Sequence, residues 1–185
     1  MLPDPLHPAI VHFPVVLAML APLVAVASLW AIRRGMAPAR AWGATSGMLA
    51  ALALSAWVAT ATGEREEERV ERVVGESALH GHEEGAEVFL YVAAGVLVLG
   101  LVGLARGRVG TAGRALATLG TVGLVGIGVN VGHSGGQLVY RHGAAAAYVT
   151  PAAGSPSRQP SEERGKDHDD EARSETDGRA SNPAG

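Results

Sequence analysis

Apolar residues form four long stretches of the chain, and the charged residues lie outside them. The stretches cover approximately residues 9–32, 41–61, 88–105 and 115–132. An α-helix needs about 20 apolar residues to cross the hydrocarbon core of a bilayer, and each stretch is close to that length. The pattern therefore predicts an all-α fold, an integral membrane bundle of four helices within residues 1–150.

Two polar segments outside the predicted spans differ in composition. Residues 64–74 place Glu and Arg at spacings of three and four without proline, which predicts that the second helix continues beyond the bilayer as a solvated helix. A cation-binding acidic patch is the alternative. From residue 151 onward Pro, Ser, Gly and charged residues dominate, so the tail 151–185 is predicted to be disordered. His168 lies in this tail beside aspartates, where solvated charge is expected.

The charges of the connecting loops predict the orientation of the bundle. Arginines without acidic residues occupy the first and third loops: Arg33, Arg34 and Arg40, then Arg106, Arg108 and Arg114. Glutamate dominates the second loop, residues 63–84. The positive-inside rule places loops one and three in the cytoplasm. Both termini and the second loop are then predicted on the outer face of the plasma (inner) membrane.

The ends of the spans carry two further signals. Residues 1–8 contain Asp4 and no Lys or Arg, so the first stretch is predicted to be a retained span and not a cleaved signal peptide. Trp30, Trp42 and Trp57 lie near predicted span ends, where tryptophan usually sits at the membrane interface. All three are predicted to be interfacial side chains.

Composition and motifs exclude several classes of function. Cysteine is absent, which excludes disulfides, thiolate metal sites, iron–sulfur clusters and c-type haem attachment. The formal net charge of −3 offers no electrostatic basis for binding nucleic acid. No hydrolase motif is found, and no acidic or basic residue lies deep in a span to couple transport to an ion. A cofactor must therefore be held by histidine, carboxylate or backbone groups.

Histidine placement is the strongest functional signal in the sequence. Six of the seven histidines lie near the predicted outer ends of spans: His7, His12, His80, His82, His133 and His142. The rise of 1.5 Å per helical residue places His12 about one turn inside the outer boundary, with His133 at that boundary. An ionisable group inside a span usually marks function. The alternative is a neutral His12 bonded to a carbonyl that Pro14 leaves free.

The fourth helix and the segment after it also carry candidate site residues. Gly123, Gly126, Asn130 and His133 recur at spacings of three and four, so they share one helix face. That face suits either close helix packing or a flat ligand. Gly135 and Gly136 are predicted to end the helix, and the apolar residues 138–140 are predicted to lie along the membrane interface and return His142 towards the cluster. Arg141 is predicted to pair with a propionate or another anion, or to extend towards lipid headgroups.

Two terminal motifs carry a family resemblance. Leu6-His7-Pro8-Ala9-Ile10-Val11-His12-Phe13-Pro14 begins the bundle, and Gly132-His133-Ser134-Gly135-Gly136-Gln137-Leu138-Val139-Tyr140-Arg141-His142-Gly143 ends it. Together they resemble a family of small prokaryotic four-helix membrane proteins catalogued as a domain of unknown function. The resemblance covers roughly residues 5–145 and implies a bacterial inner-membrane location. His82, followed by Glu83, matches the histidine that this family has before its third helix, whereas His80 is extra.

Three functions remain open from the sequence. The first is b-type haem binding for electron transfer, with quinone or a redox protein as partner. His12 with His133 is the favoured pair of iron ligands, and His82 with His133 is the alternative pair. The remaining histidines and Arg141 would then bind propionates or relay protons. The second is a site for copper, zinc or iron without porphyrin, with His12, His82 and His133 as ligands. The third is a non-catalytic membrane module.

Overall fold

The computed structural model describes residues 7–148, and its helices agree with the predicted all-α membrane bundle. The elements are α1 (His7–Ile10), α2 (His12–Arg33), α3 (Pro38–Val74), α4 (Glu76–Val102), α5 (Gly107–Tyr140) and a 3-10 helix (Ala144–Tyr148). By length and composition, four helices are able to cross a membrane: His7–Arg33, Pro38–Val74, Glu76–Val102 and Gly107–Tyr140. The predicted disordered tail, with His168, lies outside the described residues.

Small side chains allow the helices to pack closely. Helices α2, α3, α4 and α5 contact one another in sequence, and α2 also contacts α5, so the four form a closed ring. The main core combines alanines with a few large residues: Ala18, Ala21, Leu49, Leu52, Ala56, Phe89, Ala93, Val96 and Leu124. Lipid tails are as apolar as leucine side chains, so the hydrophobic effect does not drive helices together inside a bilayer. Close van der Waals packing between the helices stabilises a bundle of this kind.

Trp42 is in the interior of the bundle, so the prediction that it lies at the membrane interface is wrong. Its side chain is 0% exposed, and its indole Nε1 donates to the carbonyl oxygen of Gly100 over 2.8 Å. The absence of a side chain at Gly103 makes room for the ring, because a Cβ there would overlap the indole. Trp30 and Trp57, by contrast, are exposed.

The segment between the second and third spans is mostly helical. The predicted continuation over residues 64–74 is confirmed, since α3 runs unbroken to Val74. Its 37 residues span about 55 Å, longer than the roughly 30 Å hydrocarbon core. Gly75, with φ of 82°, separates α3 from α4, so most of the second loop is helix.

The prediction that Gly135 and Gly136 end the last helix is wrong, because α5 continues to Tyr140. Two glycines disfavour a helix by about 1 kcal/mol each. Tertiary packing outweighs this effect: Leu138 is buried against Leu79 and Ala144, and the ring of His82 packs over Gly135. Residues 138–140 are thus the last turn of α5, not a separate segment along the membrane interface.

Two glycines of α5 are expected to respond oppositely to the same substitution. A Cβ on Gly113 would lie 2.7 Å from the backbone nitrogen of Gly103, so Gly113→Ala forces α4 and α5 apart. We expect it to lower the free energy of unfolding by about 1–3 kcal/mol. A Cβ on Gly123 would meet no atom within 4 Å, and Gly123→Ala is expected to raise stability by about 0.5–1 kcal/mol. Denaturant titration of both variants in one detergent tests this, and a shift of the same sign in both contradicts it.

Candidate functional site

The structure divides the six predicted site histidines into two groups. His7 and His82 are half-buried at one end of the bundle, whereas the other four are exposed: His12, His80, His133 and His142. The two half-buried rings belong to α1 and α4 and are held by α3 and α5 respectively. His7 and His82 are therefore the centre of the candidate site.

Helix α3 fixes the orientation of the His7 ring. The Nδ1 atom of His7 lies 2.8 Å from the carbonyl oxygen of Ala59. A carbonyl only accepts, so Nδ1 carries the proton, and in the neutral ring Nε2 has a free lone pair. The imidazole packs on Gly63, where a Cβ would lie 3.2 Å from its Cε1 atom. Any larger residue at position 63 would push the ring away.

Glu66 holds the backbone next to the site. One carboxylate oxygen, Oε1, accepts a hydrogen bond from the backbone N–H of His7 over 3.2 Å. The other, Oε2, accepts from the hydroxyl of Tyr148 in the final 3-10 helix. A single carboxylate of α3 therefore fastens the beginning of α1 and the end of the described chain at the same place.

Helix α5 fixes the His82 ring in the same tautomer. The Nδ1 atom of His82 lies 2.9 Å from Oγ of Ser134, and that hydroxyl donates its only hydrogen to the carbonyl of Val131 over 3.0 Å. Ser134 must then accept from His82, so Nδ1 is protonated and Nε2 again has the free lone pair. Gly135 makes room for the ring, because a Cβ there would lie 3.1 Å from Cε1 of His82.

His82 is neutral at pH 7 and lies within electrostatic reach of His7. The residue precedes the apolar segment that starts at Val88, so it lies outside the membrane-spanning part of α4. Burial lowers the pKa of the His82 imidazole from its usual 6.5, and the nearby His7 lowers this pKa further. Hydrogen bonding to the Val131 backbone raises the pKa, but this effect is smaller than the other two. A neutral imidazole is the form that ligates metals.

The other predicted histidines and Arg141 face outward. On an exposed part of α5, the side-chain nitrogen of Gln137 donates a hydrogen bond to Nε2 of His133 over 2.9 Å. The ring of His12 is exposed on α2, and the sequence-based pairing of His12 with His133 stays a prediction. Arg141 and His142 are exposed just after the end of α5.

The small-residue face of α5 borders an open groove. Gly123, Gly126 and Asn130 lie along this face, and no atom lies within 4 Å of a Cβ placed on either glycine. A groove of about 450 Å³ runs between α4 and α5, with these lining residues: Glu84, Gly85, Val88, Gly126, Ile127, Asn130 and Val131. Gly85 lies one turn after His82, so the groove begins next to the candidate site.

The two half-buried imidazoles are the candidate ligands of the site. Within residues 7–148, no group of three or more His, Asp or Glu side chains is arranged to hold a metal ion. Among residues 7–148, His7 and His82 each present one half-buried imidazole.

Several residues that shape the site were not identified from the sequence. Ser134 and Glu66 orient His82 and His7, and Gly135 and Gly63 make room for their rings. The motif around His133 contains Ser134 and Gly135, but the sequence does not show that they serve His82, which is 52 residues away from Ser134. Glu66 is one of many glutamates in a charged segment, so nothing in the sequence distinguishes it.

Comparison with known proteins identifies a family and no individual relative. The profile of a family described as "Predicted membrane protein (DUF2231)" matches residues 3–147, most of the chain. No curated protein and no solved structure matches the chain.

Proposed function

The chain belongs to the DUF2231 family of predicted membrane proteins, and from its own geometry we propose that it binds haem b through His7 and His82 and transfers electrons. The observation that carries the proposal is the shared state of the two rings. Each Nδ1 is engaged in a hydrogen bond and each Nε2 has a free lone pair. Metal-bound histidines typically have this arrangement, in which a carbonyl or another polar group holds the second ring nitrogen.

The number of ligands favours haem over a metal ion without porphyrin. Copper, zinc and iron ions in protein sites usually take three or more protein ligands, and the described residues do not group that many. In haem, the porphyrin supplies four nitrogens and the protein needs to supply only the axial ligands. Helix bundles build cofactor sites from side chains of different helices, as the imidazoles of α1 and α4 would do here. The pair His7 and His82 therefore replaces His12 and His133 as our preferred ligands.

The protein residues around the site have separate tasks in this proposal. Bound haem would supply a one-electron iron couple. Ser134 and the Ala59 carbonyl hold the imidazoles through Nδ1, so that Nε2 is the nitrogen offered to the iron. Asn130 and the groove between α4 and α5 offer a polar group and apolar walls beside the site. A quinone or a redox protein is the proposed electron partner.

The orientation of the bundle belongs to the same proposal. His7 and His82 lie at the end of the bundle that also carries the glutamate-rich part of α3, and the arginine-rich loops lie at the opposite ends of the same spans. The positive-inside rule supports a cytoplasmic location for the arginine-rich loops. We therefore place the site on the outer face of a bacterial inner membrane, with the N- and C-termini on the same face.

An absorption spectrum with metal analysis on one sample tests the proposal. The full chain is purified in detergent, and dithionite-reduced and oxidised spectra are compared. A sharp Soret band and α band at near-stoichiometric haem are the expected result. Detection of copper, zinc or iron without porphyrin would favour a metal-ion site over a haem site. A folded protein with neither group would overturn the proposal in favour of a non-catalytic membrane module.

A further inference from the structure

The end of the bundle opposite the histidines carries an unbalanced positive charge. Its two connections and the adjoining helix ends carry six arginines: Arg33, Arg34, Arg40, Arg106, Arg108 and Arg114. No Asp or Glu occurs between residues 33 and 63 or between residues 88 and 161. Within these two stretches no carboxylate is present to neutralise the arginines, and an external anion is the simplest counter-charge.

Arg114 is the most unusual of these arginines because it is buried. Its side chain is 7% exposed, and its guanidinium donates to the carbonyl of Gly103 and, over 3.2 Å, to Oγ1 of Thr111. Both partners are neutral, and no carboxylate of residues 7–148 forms an ion pair with Arg114. The Gly103 carbonyl is at the C-terminus of α4, whose partial negative charge of roughly half an elementary charge compensates only part of the guanidinium charge. The Arg114 guanidinium has five N–H donors and these two acceptors, so some of its donors remain available to a ligand.

A cleft brings the buried arginine together with a second one. The cleft has a volume of about 610 Å³ and lies between the α2–α3 and α4–α5 connections, with these lining residues: Ala37, Pro38, Ala39, Leu104, Ala105, Arg106, Gly107 and Arg114. Helix α3 begins at Pro38 and α5 at Gly107, so two helix N-termini lie at the cleft and add partial positive charge. The cleft is thus lined by two arginines, and no acidic residue is among its lining residues.

We propose that this cleft binds a phosphate group, as the phosphodiester of an anionic phospholipid or as a free phosphate ion. Guanidinium groups form paired, charge-assisted hydrogen bonds with phosphate oxygens, and helix N-termini are established anion sites. The connections lie where the apolar segments end, which is the level of the lipid headgroups. Basic clefts between membrane helices bind acidic lipid headgroups in this way. The site is separate from His7 and His82 and does not depend on haem binding.

Lipid titration with a matched set of variants tests the site. The purified full chain in neutral detergent is titrated with phosphatidylglycerol or phosphatidylcholine, and bound lipid is counted by native mass spectrometry. Wild-type protein is expected to retain phosphatidylglycerol selectively, and Arg106→Gln and Arg114→Gln to weaken its binding about tenfold or more. Arg108→Gln removes the same charge from an exposed position outside the cleft and is expected to leave binding within about twofold.

Competition with inorganic phosphate distinguishes the two sources of the ligand. Wild-type binding of inorganic phosphate that Arg106→Gln abolishes identifies a free anion as the ligand, whereas phosphatidylglycerol binding that phosphate does not displace identifies the lipid. Equal retention of the two lipids without phosphate binding overturns the proposal. An equal loss in Arg106→Gln and Arg108→Gln also overturns it, because general charge then explains binding. If Arg114→Gln does not fold, the exposed Arg106 still decides the result.

Discussion

His7→Ala and His82→Ala are each expected to abolish the haem spectrum, because each removes one of the two imidazole nitrogens that would hold the iron in the proposed site. The effect is large since α1 and α4 each contribute one half-buried imidazole, and no third ligand group lies with them in the described structure. The measurement is the reduced-minus-oxidised difference spectrum, with haem quantified per protein. Ser134→Ala leaves both ligands in place but releases the His82 ring. It is expected to weaken haem binding about 10- to 100-fold.

His12→Ala and His133→Ala are the matched controls for this series. Both histidines are exposed, and His133 hydrogen-bonds through its ring to Gln137 on its own helix. Both variants are expected to keep a normal spectrum. His12 shares the first terminal motif with His7, and His133 is next to Ser134, which holds the His82 ring. Loss of haem in these two variants, with retention in His7→Ala and His82→Ala, would reverse the assignment and restore the pair favoured by the sequence.

Trp42→Ala is expected to cause the largest loss of stability among core substitutions. The indole is fully buried among Ala25, Ala117 and neighbouring residues, and its removal leaves a cavity that small side chains cannot fill. It also leaves the Gly100 carbonyl without its indole donor. Removal of a buried tryptophan typically costs about 3–5 kcal/mol. Denaturant titration in detergent, followed by far-UV circular dichroism, measures the change.

Trp57→Ala is the control for the loss of a large aromatic side chain. Trp57 is on the same helix and is 58% exposed, so its replacement is expected to change the free energy of unfolding by less than about 0.5 kcal/mol. Trp42→Phe separates packing from hydrogen bonding, because it keeps most of the ring volume and removes the indole donor. Equal losses in Trp42→Ala and Trp57→Ala would show that the position of the tryptophan in the bundle is unimportant.

The four spans could be predicted because a bilayer imposes a simple requirement on length and polarity. Local composition is sufficient for that requirement, and the charged spacing of residues 64–74 also predicted the extension of α3 correctly. Trp42 and Gly135 show where local composition fails. The position of Trp42 near a span end predicted a side chain at the membrane interface. The space next to Gly103 instead accommodates its ring in the interior of the bundle. Gly135 suggested a helix end, but packing against His82 and the contacts of Leu138 keep α5 helical.

The candidate site could be predicted as a set of residues but not as a geometry. The sequence places six histidines near one end of the spans, because helical rise converts residue number into height. It does not show which face of each helix turns inward, since that depends on the packing of distant segments. His7 is held by residues 52 to 59 positions away, and His82 by a serine 52 positions away. Those separations explain why His12 and His133 were preferred from the sequence alone.

The position of His7 and His82 at one end of the bundle has a consequence for energy conversion. The transmembrane voltage acts on a charge in proportion to the fraction of the membrane that it crosses, with about 2.3 kcal/mol for a full crossing at 100 mV. An electron that reaches and leaves the pair from the same face crosses almost none of that field. In the proposed function, electron exchange at this site would thus neither consume nor generate membrane potential, and a circuit across the bilayer would require a second redox centre nearer the opposite face.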